Sequence, residues 1–416
     1  MGLSPEFLKR YEFDWEVLDV IIGGKSAIDS GTHLLIRSTE EALRYMDCYG
    51  YDIDNPIEKA ELFGNFQEAL SFIRRYFLQP DNPDGLKIEI PRKIAELSDM
   101  AQLLTYASTP QAGGASGQAL NTLWACAVIK IMHTIAHIDK DLRSNYIADV
   151  QTQILDRFYK FIVNDESGQL FLGRDTRDPD RVELVAFETK PKKSRDSVIL
   201  KLLHKPENVA EDIFDRIGIR FVTKNKFDAI RVVKFLKDRY VLMPANVKPS
   251  RSRNTLVDTT QFSKTLSHLM KEVESGALTP GDLQNKIVQL CESDSLGALN
   301  PENPHTSRFY SAIQFTCRQL IKIKNPLFDD IRALKAETKG GALPENIAKT
   351  VEKLDLRNLQ KEIRFFYPFE VQILDEASYR ESRAGLSSHS NYKKSQIQAA
   401  MRRVLGELMR LAPTGA

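Results

Sequence analysis

The sequence contains few cysteines and lacks several familiar nucleotide-binding motifs. Its 416 residues include four cysteines, Cys48, Cys126, Cys291 and Cys317, and no Cys-x-x-Cys pair. A disulfide framework or a zinc finger is therefore not expected, and reduced thiols in the cytoplasm are the default prediction. Neither GxxxxGK[ST] nor GxGxxG occurs, which argues against a P-loop and against a dinucleotide-binding Rossmann domain.

Signals for membrane targeting are missing as well. The first residues, MGLSPEFLKRYEFDW, lack a positive stretch followed by an apolar run, so no secretory signal is expected. The most apolar segment runs from Ala119 to Ile138 and carries Lys130, His133 and His137. These polar residues favour a packed helix over a membrane span. We therefore expect no membrane partner, and the oligomeric state is open.

What is present is an ordinary globular composition with an uneven charge distribution. The chain is 42% hydrophobic and 27% charged, with a net charge of +2. Residues 181–255 contain 18 Lys and Arg against 9 Asp and Glu, a local charge of +9, so the remainder carries −7. A basic middle indicates an anionic ligand such as a nucleotide or a nucleic acid, with a solvated basic face as the alternative.

The hydrophobic patterns change along the chain from helical to mixed. Residues 1–165 predict a helical N-terminal domain, in which Ser38 caps one helix. Residues 166–400 predict an α/β domain with helical insertions at about 258–305 and 324–356. A C-terminal helix is predicted at 395–416. The expected fold class is α+β, a mixed α/β sheet with flanking helices behind an all-helical region.

The strands of this sheet are predicted from β-branched, alternating segments. RVELVAFETK, IGIRFV and RFFYPFEVQIL are typical of strands, whereas SRDSVILKLLHK and KFDAIRVVKFLKDRYV are typical of helices. The segment RFYSAIQFTCRQLIKI fits either a strand or a helix.

Two acids are predicted to stand at the entrances of strands. Asp215 precedes the strand that contains Arg220, and Glu370 opens the strand FEVQI. Acids at neighbouring strand ends can share Mg²⁺, which takes few carboxylates together with substrate phosphate oxygens. Lys193 and Lys201 could then balance the charge of the phosphates.

Four ordered motifs in this region resemble the synthetase domain of the RelA/SpoT-type alarmone synthetases. The match covers roughly residues 180–400 and is interrupted by the insertions. The first motif runs from Lys193 through Ser197-Val198 to Lys201, and the second runs from Asp215 to Arg220. The third runs from Glu370 to Ile373, and the fourth consists of Gly385, His389, Tyr392 and Lys393.

The resemblance implies a nucleotidyltransferase-like fold and a pyrophosphokinase reaction. Such enzymes transfer pyrophosphate from ATP to the 3′-hydroxyl of an acceptor nucleotide, usually GDP or GTP, and release AMP. By this resemblance Asp215 and Glu370 hold Mg²⁺, and Glu370 also takes the proton from the attacking hydroxyl. It likewise places five residues at the ATP phosphates: Lys193, Lys201, Arg220, His389 and Lys393.

The acceptor side departs from the family pattern. Tyr310 is the nearest match to the tyrosine that stacks on the acceptor base, although Phe309 replaces a glycine and Gln314 replaces a histidine. An ordinary strand tyrosine is the alternative interpretation. The basic segment KPSRSRN supplies Arg251 and Arg253 as further candidates for acceptor binding.

Two further departures leave the acceptor open. Pro191 and Leu374 stand where the family has arginines, and Lys190 or Lys192 could substitute for the first of these. The acceptor could be a guanosine nucleotide, an adenosine nucleotide or the 3′ end of tRNA. A catalytically degenerate protein that binds a nucleotide or RNA is the alternative to an enzyme.

Bifunctional members of the family carry a metal-dependent hydrolase with a His-Asp pair in their N-terminal region. No adjacent His-Asp pair occurs. His133 and His137 stand four residues apart, followed by Asp139 and Asp141, which is a spacing that can bind a metal. Two histidines beside an apolar stripe are more often structural.

Overall fold

The chain folds into two compact units, each built from discontinuous segments. The computed structural model describes residues 15–26, 28, 29, 36, 38–108, 116–190, 194–205, 213, 215–293, 311–339, 344–353, 360–384 and 389–411. A helical unit contains residues 1–144, 193–213 and 388–416. A sheet unit contains residues 145–192 and 214–387.

Helices are found in both units. In chain order, the described helices are α1 (Trp15–Ile21), α2 (Thr39–Tyr49), α3 (Pro56–Phe77), α4 (Arg92–Ala95), α5 (Met100–Tyr106), α6 (Ser116–Asp139), α7 (Ile147–Tyr159), α8 (Arg195–His204), α9 (Lys226–Asp238), α10 (Thr259–Glu274), α11 (Pro280–Ser293), α12 (Pro326–Lys339), α13 (Glu345–Glu352), α14 (Glu376–Ala384) and α15 (His389–Leu411).

Side-chain caps define several helix starts. The Ser38 hydroxyl accepts a hydrogen bond from the backbone N–H of Glu41, which confirms the predicted cap of α2. Asn55 and Asp99 accept in the same way at the starts of α3 and α5. Each cap satisfies a backbone donor that has no partner inside its helix.

Helix α6 forms the centre of the helical unit. Trp124, Ile131 and Ile135 are buried on it, and α3, α8 and α15 pack around it. Over 119–139 this helix is long and apolar enough to cross a membrane, with a mean hydropathy of 1.3, but 61% of that window is buried inside the protein. It is therefore a core helix, as the sequence predicted.

Among the described residues, seven strands form one sheet in the order β1-β2-β3-β4-β7-β6-β5. The strands β4 and β7 pair in parallel, and the other neighbours pair antiparallel. This mixed sheet with its helices confirms the α+β class. The strands are β1 (Ile162–Asn164), β2 (Leu170–Leu172), β3 (Val182–Thr189), β4 (Gly218–Thr223), β5 (Arg253–Asn254), β6 (Ile313–Lys324) and β7 (Glu362–Asp375).

The predicted domain boundaries differ from this division. Helix α7 lies before the predicted boundary at 165, yet its buried side chains, such as Ile154 and Phe158, belong to the core of the sheet unit. Helices α8 and α15 lie within or beyond the predicted α/β domain, but Leu202 and Leu405 pack in the core of the helical unit. Burial of these apolar faces, rather than sequence order, assigns each helix to its unit.

The described parts of the two predicted insertions are mainly helical. Helices α10 and α11 lie between β5 and β6, and α12 and α13 lie between β6 and β7. From Ile313 onward, the segment that fitted either a strand or a helix forms β6, which pairs with β7 along its whole length. Its cross-strand partners decide between the two conformations, since short apolar patterns are compatible with both.

Candidate functional site

A row of polar side chains crosses five strands on one face of the sheet. Glu188 of β3 pairs with Arg220 of β4, and Arg220 pairs with Gln372 of β7. Gln372 also pairs with Gln314 of β6, which pairs with Arg253 of β5. Because paired residues in neighbouring strands point to the same face, these five side chains form one line, here called the polar row.

The opposite face of the central strands is apolar and fixes this arrangement. Ile219 and Phe221 in β4, and Val371 and Ile373 in β7, are fully buried. Side chains alternate between the two faces along a strand, so the intervening residues must lie on the polar face. A shift of one residue would bury the charges, and the apolar core therefore specifies the register of the polar row.

Arg220 joins two members of the polar row. Its Nε and one Nη donate to Oε1 of Gln372 at 3.3 and 3.1 Å. The other Nη donates to Oε2 of Glu188 at 3.2 Å, and the Arg220 side chain is only 22% exposed. These bonds hold the planar guanidinium in one orientation at the centre of the sheet.

Glu370 lies beside the polar row and accepts hydrogen bonds from three side chains. The Lys190 ammonium donates to Oε2 at 2.7 Å, and the amide of Gln372 donates to the same oxygen at 2.9 Å. The amide of Gln314 donates to Oε1 at 2.6 Å. Glu370 is only 8% exposed, so these donors replace the water that a buried carboxylate loses.

Gly218 provides the space through which Lys190 reaches Glu370. Gly218 is the direct partner of Glu370 across the parallel β4–β7 pair. A Cβ atom at Gly218 would lie 2.5 Å from Cδ of Lys190, which is shorter than the contact distance of two non-bonded carbon atoms. The missing side chain therefore allows the lysine stem to cross β4 and place its charge on Glu370.

Helix α14 contributes two side chains to the Glu188 end of the polar row. The Tyr379 hydroxyl donates to Oε1 of Glu188, and Arg383 donates to the same oxygen at 2.9 Å. The Arg383 guanidinium also lies 4.9 Å from the centre of the Tyr379 ring. Burial, together with the hydrogen bond to Glu188, raises the pKa of the Tyr379 hydroxyl, which stays a donor at neutral pH.

The two predicted metal ligands lie near the start of β4. Asp215 lies in the turn that precedes Gly218 by three residues, and Gly218 pairs with Glu370. The expectation that Glu370 opens its strand is wrong, because β7 begins eight residues earlier, at Glu362. The first half of β7 pairs only with β6, and Glu370 instead marks the point at which β4 joins.

The basic segment predicted for the acceptor lies along β6. Arg253 is the last member of the polar row, and Arg251 ends a 3-10 turn just before it. The backbone N–H of Lys248 donates to the carbonyl of Thr316 at 2.9 Å, and Thr316 pairs with Glu370. The fold therefore attaches this segment to the strand that carries Gln314.

Other predicted ligands are not part of the sheet unit or lie outside the described residues. Lys201 belongs to α8 and Lys393 to α15, both of which are in the helical unit. Lys193 and Tyr310 lie outside the described residues, as does the side chain of His389, the first residue of α15. Within the sheet unit, the described site therefore contains Asp215, Arg220, Arg251, Arg253 and Glu370 from the predicted set.

Leu374 lies on the same face of β7 as Glu370 and Gln372, and it is fully buried. Its carbonyl accepts a hydrogen bond from the Thr223 hydroxyl at 3.2 Å. An arginine at this position would have to bury its charge next to the fully buried Val222, the partner of Leu374 in β4. Leu374, which stands where the family has an arginine, therefore contributes to the packing of the sheet and not to the polar row.

Sequence reasoning missed three members of the site. Glu188 lies on the polar face of a strand in which polar and apolar residues alternate, but this alternation does not indicate which residue Glu188 contacts. Tyr379 and Arg383 are four residues apart on α14, and that spacing gives them a common face. The helical periodicity could have indicated a tyrosine–arginine pair, whereas only the fold determines that this pair contacts Glu188.

The histidine pair of the helical unit forms an aromatic cluster. The rings of His133 and His137 lie 4.4 Å apart, and Nδ1 of His133 shares a hydrogen bond of 2.6 Å with the Tyr49 hydroxyl. Burial and the neighbouring His137 lower the pKa of His133 to about 4. Asp139 binds Arg195 instead, and no cluster of three potential metal ligands occurs among the described residues.

The comparisons with known proteins identify no relative. No protein-family model, no curated protein and no solved structure matches the chain. The family resemblance therefore depends on the quoted sequence motifs, and the chemistry depends on the geometry of the sheet face.

Proposed function

We propose that this protein is an ATP-dependent pyrophosphokinase of the RelA/SpoT synthetase type with a nucleotidyltransferase-like sheet. In this reaction the 3′-hydroxyl oxygen of an acceptor nucleotide attacks the β-phosphorus of ATP. The bond between the β-phosphorus and the bridging oxygen breaks, and AMP leaves. The observation that carries the proposal is the polar row, with the buried Glu370 beside it.

The charges on this face suit a phosphorylated substrate. Basic side chains outnumber acidic ones, with Lys190, Arg220, Arg253 and Arg383 against Glu188 and Glu370. Fixed cations lower the barrier to phosphoryl transfer by stabilising charge that develops on the phosphate oxygens. Arg220 is well suited to this role, because its orientation is set by Gln372 and Glu188 before any substrate binds.

The donor set at the start of β4 fits Mg²⁺. This ion takes one or two carboxylates and completes its shell with water and substrate phosphate oxygens. Asp215 and Glu370 would hold it, and when bound it would neutralise phosphate charge. Glu370 is also the carboxylate proposed to receive the proton of the attacking hydroxyl, in agreement with the family resemblance.

The acceptor is proposed to bind toward β5. Arg253 extends the polar row on that side, and Arg251 precedes it in the basic segment. Guanosine nucleotides are the first candidates because of the family resemblance. Adenosine nucleotides and the 3′ end of tRNA remain in the acceptor panel, since the segment departs from the family pattern. We place the reaction in the cytoplasm, where ATP and these acceptors are found.

A nucleotide- or RNA-binding regulator is the second candidate function. It is favoured by the three hydrogen bonds that Glu370 already accepts, from Lys190, Gln314 and Gln372. A carboxylate satisfied in this way can be a structural element of a binding surface. Tight binding without turnover would distinguish this function, and a steep salt dependence would identify RNA as the ligand.

The deciding experiment is product identification by mass spectrometry. Purified protein is incubated with ATP, Mg²⁺ and a panel of GDP, GTP, adenosine nucleotides and tRNA. We expect AMP and one pyrophosphorylated acceptor. The absence of transfer to every acceptor by folded protein would reject the proposal.

A pair of matched variants tests the role of the carboxylate. Glu370→Gln should abolish transfer, because it removes the charge while keeping the shape. Glu362→Gln makes the same chemical change in the same strand, at an exposed pair with Arg364, and should retain activity. Equal activity of the two variants would exclude Glu370 from the reaction.

A further inference from the structure

The helical unit contains a cavity of about 600 Å³ between α6 and α15. Ligand pockets in proteins typically measure roughly 300 to 1,000 Å³. All of its lining residues lie in the helical unit, and none belongs to the polar row. Nothing in the proposed pyrophosphokinase reaction uses this cavity.

The lining of the cavity is strongly basic. Five cationic side chains line it: Lys25, Lys130, Arg402, Arg403 and Arg410. Two carboxylates, Asp29 and Glu407, also line it. A concave surface with an excess of one charge raises the local concentration of ions of the opposite sign.

The two carboxylates are each engaged by an arginine of the lining. Asp29 accepts from Arg403 at 2.6 and 2.7 Å, and Glu407 accepts from Arg410 at 2.6 Å. Arg403 also donates to the carbonyl of Leu203 at 2.7 Å. The Lys25 ammonium donates to Asp19 at 2.6 Å, so Lys130 and Arg402 are the cations of the lining that this inference uses.

Lys130 is the cation that α6 contributes to this lining. It lies on α6, is partly buried, and forms no ion pair with any residue that the structure describes. Burial lowers the pKa of Lys130, which means that its charge lacks full solvation. An anion bound next to it would restore the lost stabilisation.

Gly406 lines the cavity from the side of α15. It lies inside this helix, where glycine costs about 1 kcal/mol relative to alanine. A Cβ atom at Gly406 would meet no atom within 4 Å, so packing does not require a glycine here. The position faces empty space that a larger residue would occupy.

The cavity also has an apolar side. Leu123 and Ala127 from α6, and Val404 and Leu408 from α15, contribute to its lining. A simple inorganic ion would leave this side unused. An organic molecule that carries a phosphate group would engage both the cations and the apolar wall.

From these features we infer that the cavity is a binding site for a phosphorylated small molecule, with Lys130 and Arg402 binding the phosphate and the apolar wall contacting the organic part. A nucleotide has the appropriate size and chemistry. The inference is independent of the pyrophosphokinase activity, because it concerns only residues of the helical unit.

Isothermal titration calorimetry on the full chain at low salt tests this site. The probes are inorganic phosphate, ribose 5-phosphate, ADP and GDP. We expect binding to the wild-type chain, with the organic phosphates tighter than inorganic phosphate. Equal affinity for all four probes would contradict the role assigned to the apolar wall.

Three variants locate the binding. Lys130→Met removes the charge that α6 contributes, and Gly406→Phe fills the cavity from a position with open space around it. Both should weaken binding about tenfold or more, since a charge-assisted contact or the cavity itself is lost. Gly406→Ala is the matched control and should bind as the wild type does.

Two results would overturn the inference. One is a wild-type chain that binds none of the four probes. The other is undiminished binding in both Lys130→Met and Gly406→Phe, with circular dichroism confirming that the variants are folded. Because neither variant alters the sheet face, a nucleotide bound only at the polar row would give this second result.

Discussion

The Lys190 ammonium lies 2.7 Å from the Glu370 carboxylate, although 180 residues separate the two in the chain. The contact passes over Gly218, the partner of Glu370 in the parallel pair of strands. The ion pair between Lys190 and Glu370 therefore depends on three segments that are distant in the chain, including the one that carries Gly218. Glu370 is only 8% exposed, and its ion pair with Lys190 offsets part of the solvation that a buried charge loses.

Gly218→Ala should separate Lys190 from Glu370. The added Cβ would lie 2.5 Å from Cδ of Lys190, so the lysine stem must move and the buried carboxylate loses a charged donor. We expect a loss of about 1 to 3 kcal/mol in the free energy of unfolding, measured by urea denaturation. The proposed transfer activity should fall as well.

Two comparisons isolate the cause. Gly281→Ala adds the same atom in a helix of the sheet unit, where nothing lies within 4 Å, and should not destabilise the protein. In a Lys190→Ala background, Gly218→Ala should cost much less, because the clash is gone. If the cost is the same in both backgrounds, the lysine is not the reason for the glycine.

Arg220→Lys should impair the site although it conserves charge. Lysine cannot reproduce the fork that bonds to Gln372 and Glu188 together. We expect a loss of about 1 to 2 kcal/mol in stability and a decrease in kcat of the proposed transfer. Arg318→Lys, at an exposed position of β6, is the control and should leave both quantities near their wild-type values. Equal behaviour of the two variants would show that only the charge of Arg220 matters.

The stability of the helical unit should depend on pH through His133. Burial and His137 lower its pKa from the ordinary value of 6.5 to about 4 in the folded protein. Between these values the unfolded chain binds a proton that the folded chain does not. The contribution of neutral His133 to the free energy of unfolding is therefore complete above about pH 6.5 and is lost as the pH falls to about 4. It amounts to roughly 3 kcal/mol at most.

His133→Gln should flatten this part of the stability profile. The measurement is the urea midpoint of wild type and variant at several values between pH 4 and 7. His137→Gln is the control, since His137 is more exposed and should leave most of the slope in place. A wild-type profile without a slope in this range would contradict the buried, neutral state of His133.

Arg195→Met should destabilise the helical unit. Its guanidinium at the start of α8 donates to Glu68 of α3 at 3.0 Å and to Asp139 of α6 at 2.8 Å. Loss of both partners should cost about 1 to 2 kcal/mol, because the network is partly exposed. Arg75→Met, which removes a single and more exposed pair with Asp196, should cost less than Arg195→Met does. Thermal denaturation of the two variants makes the comparison.

Local sequence was enough to predict the elements that carry the site. The alternation in β3, β4 and β7 indicated strands because each has an apolar face that must be buried. The acid Glu370 and the arginine Arg220 stood out because charged residues inside such strands need a specific reason. The cap at Ser38 and the core role of α6 also followed from local pattern, since capping and periodicity act within a few residues.

Long-range pairing decided the rest. The register of five strands aligned Glu188, Arg220, Gln372, Gln314 and Arg253, and no local pattern contains that register. The assignment of α7 to the sheet unit, and of α8 and α15 to the helical unit, depended on which apolar face each helix buries. The partner of Glu370 depended on a glycine in a third segment. A sequence specifies which side chains must be buried, whereas only the folded chain determines which of the remaining charges meet.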